Sequence, residues 1–377
     1  MSKEKYQSVR RIEEIASIIF FVAALYLPLL GMAFDINLTP AHKENRRLAA
    51  MPRLSLKRSA IGSFPEEFRA YFQDHFGFRN ELIGWQATAK VKWLGVSSSK
   101  EVILGKDGWL FQPPYDNSLE KYRGPRPFTG EQLAQWQRVL ESRRNWLAER
   151  RVPFLFVVAP EKHSVYPEYV PDAIRRMRQT SRLDQLIAYL KEHSDIKVID
   201  LRPALYEAKG RERLYHRLDS HWNDYGAFVA YQRIVRELSV FIPGMQPLAE
   251  SEFEIVREQS RGMDLASLLG LGNVLAEENL RLRPRRLSLV VQGDVHNSVV
   301  PLVSERKGTS LPRLVMFRDS YANNLIPLLS EHFSRAVYIW KGFDPRVIEA
   351  ERPDVVIQEI VERGLLRDPT LEGPLVD

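Results

Sequence analysis

The sequence predicts an α/β protein in which helices cover both sides of a mainly parallel sheet, preceded by one N-terminal transmembrane helix. Short apolar runs at Val152 to Ala159, Ile196 to Leu201, Leu314 to Phe317, Ala336 to Trp340 and Asp354 to Ile357 read as strands buried on both faces. Helix-like stretches at Gly130 to Arg151, Ser181 to Glu192 and Trp222 to Leu238 alternate with them, which is the pattern of parallel strands joined by crossover helices. Ahead of all this, residues 15 to 34 carry no charge and reach the ~20 residues that a spanning helix needs.

The chain has 377 residues, 44 % of them apolar, enough for one large domain or two smaller ones. It contains no cysteine, which removes disulfides, thiolate metal sites and a cysteine nucleophile together. The net charge is +6, but the basic residues are interleaved with acids, so a solvated surface or mild attraction to an anionic membrane or polymer is expected. No helix-turn-helix, zinc spacing or RNP-like segment points to nucleic acid.

In chain order, residues 1–14 are expected as a cytoplasmic N-terminus and 15–34 as an uncleaved signal anchor, kinked at Pro28. The apolar run exceeds a usual signal-peptide core, and no Ala-x-Ala site follows it. Lys3, Lys5, Arg10 and Arg11 before the span are nearly balanced by Lys43, Arg46 and Arg47 after it, so the single N-terminal anchor is what places residues 35–377 outside the cytoplasm. Phe64, Phe68, Phe72 and Phe76 recur every four residues, the stripe of a helix whose default role is core packing, and His75 reads as a rim or capping residue. Two apolar runs around Gly105-Lys106-Asp107-Gly108 signal a hairpin. Residues 240–312 break the alternation and are read as an insertion, with strand character near Leu287 to Val291.

In open α/β sheets the reactive groups lie past the carboxyl ends of strands. That rule selects Pro160-Glu161-Lys162, Arg318-Asp319-Ser320 and the segment after Ile357. Ser320 sits on a strand-to-helix turn, where a hydroxyl is presented at the sheet edge and the amides of the turn can face an oxyanion; such a serine is equally a helix cap. A hydroxyl nucleophile needs a base with a fixed tautomer. In an extended segment Asp219 and His221 project to one side and supply that pair; the competing reading is a cap beside a buried histidine. His216, Asp219 and His221 also allow a metal reading, which lacks further ligands nearby and ranks below the serine mechanism.

Several motifs together resemble the alginate O-acetyltransferase family of SGNH hydrolase-like proteins, the AlgX/AlgJ type often called DHHW-like. They are Asp74-His75-Phe76-Gly77-Phe78-Arg79-Asn80, Val102 to Phe111, Ala159-Pro160-Glu161-Lys162 with Val165-Tyr166-Pro167, Asp219-Ser220-His221-Trp222, Arg318-Asp319-Ser320-Tyr321 and Pro353 to Ile357. The resemblance implies an SGNH hydrolase-like three-layer α/β/α fold with Ser320 as nucleophile, His221 as general base and Asp219 as its orienting partner. The order Asp, His, Ser reverses that of common SGNH esterases, as in this acetyltransferase group. Arg318 stands where such motifs carry glycine, so its side chain either narrows the oxyanion site or binds an anion.

Lys162, Trp222, Arg318 and Tyr321 are the candidate substrate contacts, with Trp340 as a further groove aromatic and Glu359, Glu362 and Arg363 as a surface or supporting ion pair. The expected activity is acetyl transfer onto hydroxyls of an exopolysaccharide or cell-envelope glycan. It needs no metal or other cofactor and takes acetyl from a polytopic membrane acyltransferase. The expected place is the inner membrane, single-pass, with the catalytic domain in the periplasm. The alternatives are a carbohydrate acetylesterase, a non-catalytic glycan-binding or assembly protein, and a metal-dependent envelope hydrolase.

Overall fold

A computed structural model of the chain describes residues 3–34, 36, 48–53, 58–113, 127–174, 180–286 and 293–373. It divides into two compact units, residues 1–99 with 266–274, and residues 100–265 with 275–377.

In the first unit, helix α1 (Lys3–Ala33) contains Arg10–Ala33, a stretch long and apolar enough to cross a bilayer. Pro28 lies inside this helix, and its carbonyl accepts the Gly77 amide at 3.0 Å. Helix α2 (Arg58–His75) carries the phenylalanine stripe. Contrary to the core-packing expectation, these rings stack on one another, Phe64 on Phe68 and Phe72 on Phe76, and stay half-buried or exposed. His75 Nε2 lies 2.9 Å from the Ala49 carbonyl, a local contact at the end of α2. Phe78, with φ 61°, turns the chain into α3 (Arg79–Thr88), which runs on as a π-turn over Ala89–Trp93.

The second unit opens with the hairpin of β1 (Ile103–Leu104) and β2 (Leu110–Phe111), whose turn places Asp107 and Gly108 at φ 52° and 74°. Glycine meets the second of these at no steric cost. Next come α4 (Gly130–Glu149), β3 (Phe154–Ala159), α5 (Lys162–Val165), α6 (Arg182–His193), β4 (Val198–Asp200), α7 (Arg202–Ala208) and α8 (Asp224–Leu238). Capping boxes at Thr129 and Ser181 start α4 and α6, and Asn223 caps α8. The chain continues through β5 (Phe253–Ser260), α9 (Asp264–Leu268), β6 (Glu277–Pro284), β7 (Leu302–Glu305), β8 (Arg313–Phe317), α10 (Ile326–Ser330), β9 (Arg335–Ile339), α11 (Pro345–Glu351) and β10 (Val355–Val361).

The central sheet has the order β4-β3-β10-β8-β9-β7, parallel except for β7, which pairs antiparallel with β9 at the edge. Alternation along the strands feeds two layers, because successive side chains point to opposite faces. Leu155, Val157 and Ala159 of β3 join Met316 and Ile357 in a core with Phe228, Tyr231 and Val235 of α8. Phe156 and Val158 instead join Trp136 and Leu140 of α4 and Leu186 of α6. Val315 and Phe317 meet Trp146 and Ile348 on that second face. The apolar runs read from the sequence are therefore strands packed on both sides.

Residues 240–312 are more than an insertion. β5 and β6 form an antiparallel ribbon, α9 delivers an aspartate to the site described next, and β7 completes the sheet edge. The strand expected at Leu287 to Val291 lies outside the described residues.

Candidate active site

The carboxyl ends of β3, β8 and β10 point toward one place. Past β8, Asp319 opens a 3-10 turn over Ser320–Asn324. Asp319 Oδ1 accepts the Tyr321 amide at 2.9 Å and Oδ2 the Val361 amide at 2.7 Å, while the Asp319 amide donates to Glu359 Oε2 at 3.1 Å. Arg318 does not have a positive φ, so the turn needs no glycine at that position. These bonds tie the Ser320 turn to the end of β10.

Opposite it, the chain from Tyr215 to Trp222 closes a loop on an isolated antiparallel bridge between those two residues. The Asp-Ser-His segment is not extended, as the alternation argument assumed, but bent. Asp219 Oδ1 accepts the His221 amide at 3.0 Å, the Asx-turn habit of a short acid, and lies 2.7 Å from His221 Nδ1. The same oxygen therefore makes the turn and holds the ring. His221 Nε2 is then 2.8 Å from Ser320 Oγ, across 99 positions of sequence.

A second acid stands behind this pair. Asp264 accepts the Ser220 amide at 2.8 Å and the Ser220 hydroxyl, its own amide donates to Asp219 Oδ2 at 3.0 Å, and its Oδ2 is 3.8 Å from His221 Nδ1. Burial disfavours a charged His221, but the hydrogen bond and charge of Asp219, with Asp264 behind them, outweigh it and raise the imidazole pKa. Burial also acts against the Asp219 carboxylate, yet the His221 hydrogen bond and charge hold it well below the usual range. Asp264 is pushed up to about 6 by burial and by the Asp219 charge.

Lys162, Trp222, Arg318 and Tyr321 are all buried, between 0 % and 3 % exposed, with their polar ends turned inward. Lys162 Nζ donates to three carbonyls of the Tyr215–Trp222 loop, His216 (3.0 Å), Arg217 (3.2 Å) and Asp219 (2.5 Å). Desolvation lowers its pKa to about 8, opposed by Asp264, Asp219 and other acids. Trp222 Nε1 donates to the Tyr321 carbonyl and Tyr321 Oη to the Ser220 carbonyl, so each side of the site grips the other. The Arg318 guanidinium donates to Asn323 Oδ1 and the Val295 carbonyl and lies over the half-buried Trp340 ring at 4.3 Å. The donors of Lys162, Trp222 and Tyr321 are held by protein carbonyls, while the buried Nε of Arg318 has no partner among the described residues. Glu359, Glu362 and Arg363 are not a surface pair: Glu359 is 1 % exposed, Glu362 accepts the Ser164 hydroxyl, and Arg363 pairs with buried Glu161 at 2.7 Å.

His216 turns away from Asp219 and His221 and lies 3.3 Å from Glu277 of β6. Among the described residues, the donor atoms close enough to hold a metal are those of Asp219, His221 and Asp264, all within 4.8 Å of one another.

Residues 102–335 match the family model described as "SGNH hydrolase-like domain, acetyltransferase AlgX", well over half of the chain. The chain belongs to this family. Its relatives include the "Probable alginate O-acetylase AlgJ" of Pseudomonas aeruginosa, 26 % identical over 227 residues, which are 60 % of this chain and 55 % of that protein. The protein of the same name from Azotobacter vinelandii is 26 % identical over 180 residues, 47 % of this chain and 43 % of that one. The match thus spans about half the length of these curated relatives or less. Among solved structures, Bacillus cereus PatB1 superposes with a TM-score of 0.51 at 17 % identity, covering 70 % of this chain and 96 % of that one, a likeness of fold. In this AlgX-type domain, Asp264 is the site residue that sequence reasoning missed. Its only local signal is an acid in the first turn of a short helix, and nothing in that pattern points 45 residues back to Asp219.

Proposed function

We propose that the chain is a serine-dependent O-acetyltransferase acting on hydroxyls of an exopolysaccharide or other cell-envelope glycan. The observation that carries this reading is the relay Asp219 Oδ1, His221 Nδ1, His221 Nε2, Ser320 Oγ, with steps of 2.7 and 2.8 Å. Ser320 Oγ attacks the acetyl carbonyl carbon while its proton passes to His221 Nε2. The donor alcohol then leaves with that proton, and acetyl remains on Ser320. An acceptor hydroxyl gives its proton to His221, attacks the acyl-serine and restores the Ser320 hydroxyl. Asp219 orients the ring and stabilises the imidazolium throughout. The Tyr321 amide is spent on Asp319, and the Ser320 amide is the donor assigned to the oxyanion in this reading.

In this reading residues 1–14 are cytoplasmic, 15–34 form an uncleaved inner-membrane anchor, and 35–377 work in the periplasm. Acetyl would arrive from a polytopic membrane acyltransferase. The names of the alginate O-acetylase relatives support a polysaccharide acceptor.

The test is to incubate the full chain in detergent with an activated acetyl ester and a panel of glycans, following free acetate and acetylated sugar by mass spectrometry. Acetyl on sugar that disappears in Ser320→Ala and His221→Ala is expected. Acetate alone would make the protein an esterase. Turnover that survives Ser320→Ala but not a chelator would replace the serine by a metal held at Asp219, His221 and Asp264.

A further inference from the structure

Helix α3 and its π-turn have two unlike faces. On one, Ile83 and Ala87 lie against Gly270, whose φ of 76° brings backbone to within touching distance of them; nearby, the Ser98 hydroxyl donates to the Leu269 carbonyl at 2.7 Å. On the other, Leu82, Trp85, Ala89 and Trp93 follow one another at spacings of three and four, one stripe of a helix. Leu82 is 41 % exposed, Trp85 70 % and Trp93 80 %, and the stripe runs on into Leu94 at 69 %. Isolated exposed apolar residues need no explanation, but two tryptophans on one helical stripe do. At 100° per residue Lys90 and Lys92 fall on either side of the stripe, and no carboxylate among the described residues pairs with them.

The start of this helix is fastened to the end of the apolar span. The Gly77 amide donates to Pro28, and Gly31 and Gly77 approach so closely that a Cβ on either would collide with the other's backbone; Phe78, the residue before α3, packs on Gly31. Gly31 lies in the last turn of α1.

We infer that the Leu82–Trp93 face of α3 lies in the membrane interface, where the tryptophans enter the headgroup boundary and Lys90 and Lys92 meet anionic lipid. Three features of one unit agree on that occupant: the stripe is amphipathic, tryptophan is the side chain enriched at the headgroup level, and the helix begins where the span ends. The flanking lysines add attraction to negative lipid. The inference rests on α1 spanning the bilayer. Its consequence is that the protein is held to the membrane by a second contact besides the anchor.

Because the chain has no cysteine, single cysteines report cleanly. Trp85→Cys, Trp93→Cys, Ala23→Cys within the span and Val240→Cys in the other unit would each be labelled with an environment-sensitive fluorophore. The full chain would then be reconstituted in phosphatidylcholine vesicles with about one third phosphatidylglycerol. Lipids carrying a quencher at the headgroup or deep in the acyl chain are compared. The expected result is roughly twofold headgroup quenching at positions 85 and 93, deep quenching at 23 and none at 240. Deep quenching at 23 with none at 85 and 93 would leave the anchor standing, assign the face to a protein partner and overturn the inference. Equal quenching at 240 would mark the signal as non-specific and overturn it too. No quenching at 23 would remove the anchor reading itself.

Discussion

The two halves of the candidate site are held in opposite ways. The loop from Tyr215 to Trp222 has three of its carbonyls gathered by one buried ammonium, while Glu277 and Asp264 accept its Arg217 and Ser220 amides. The Ser320 turn is held by several charged groups spread over two strands: the Asp319 carboxylate on two amides, Glu359 on a third, and the Arg318 guanidinium on Asn323 and Val295. A loop without regular structure must satisfy its backbone groups somehow, and a lysine with three donors does so at one point. The turn inherits most of its support from the sheet beside it. Damage to the site should therefore be concentrated on one side and distributed on the other.

The chemistry itself should yield the largest effect. Ser320→Ala and His221→Ala are each expected to lower acetyl transfer at least about 10³-fold with an unchanged circular dichroism spectrum. Residual transfer near the parent rate in either would break the comparison at its root, because the two halves would then not be a catalytic pair.

Lys162→Met should come next. It leaves the His216 and Asp219 carbonyls short of a donor in a buried place, the Arg217 carbonyl keeping the Leu110 amide, a loss of about 2–4 kcal/mol read from denaturant unfolding, together with a fall in kcat. Arg318→Met on the other side should cost less, about 1–2 kcal/mol, because Asp319 and Glu359 still hold the turn. An equal or reversed ranking of these two variants in the same unfolding series would refute the distinction.

The finest probe is Asp264→Asn. His221 must be neutral to accept a proton, so activity rises as pH climbs through its raised pKa. Removing the Asp264 charge removes one cause of that rise, hence the acid limb of kcat/KM should move to lower pH, by about one unit or less. A limb that stays in place while stability falls would make Asp264 purely structural.

Much of the fold was readable because burial on both faces writes itself into every residue of a strand. Leu155 to Ala159, Leu314 to Phe317 and Val355 to Ile357 are apolar at consecutive positions, and the structure distributes their side chains alternately to two cores. The phenylalanine stripe of α2 shows the limit of that reasoning. Its period of four correctly marks a helix, but periodicity is blind to what lies opposite, and there the rings meet mostly one another.

At the site, local chemistry was legible and its supports were not. Asp219 and His221 are two residues apart, and Ser320 follows a strand, so their types and positions pointed to one another before any coordinates. Asp264 and Lys162 reach the same loop from 45 and 57 positions away, from segments whose own patterns serve a short helix start and a strand end. By itself the sequence determined which residues have reactive groups, the strands that present them and the apolar length at the N-terminus, because each follows from side-chain type and short-range spacing. Only the tertiary structure decided that Lys162, Trp222, Arg318 and Tyr321 turn inward and that a second carboxylate stands behind the histidine. Hydrogen-bond partners for a buried polar group are chosen by what the fold brings within about 3 Å, and that distance has no counterpart along the chain.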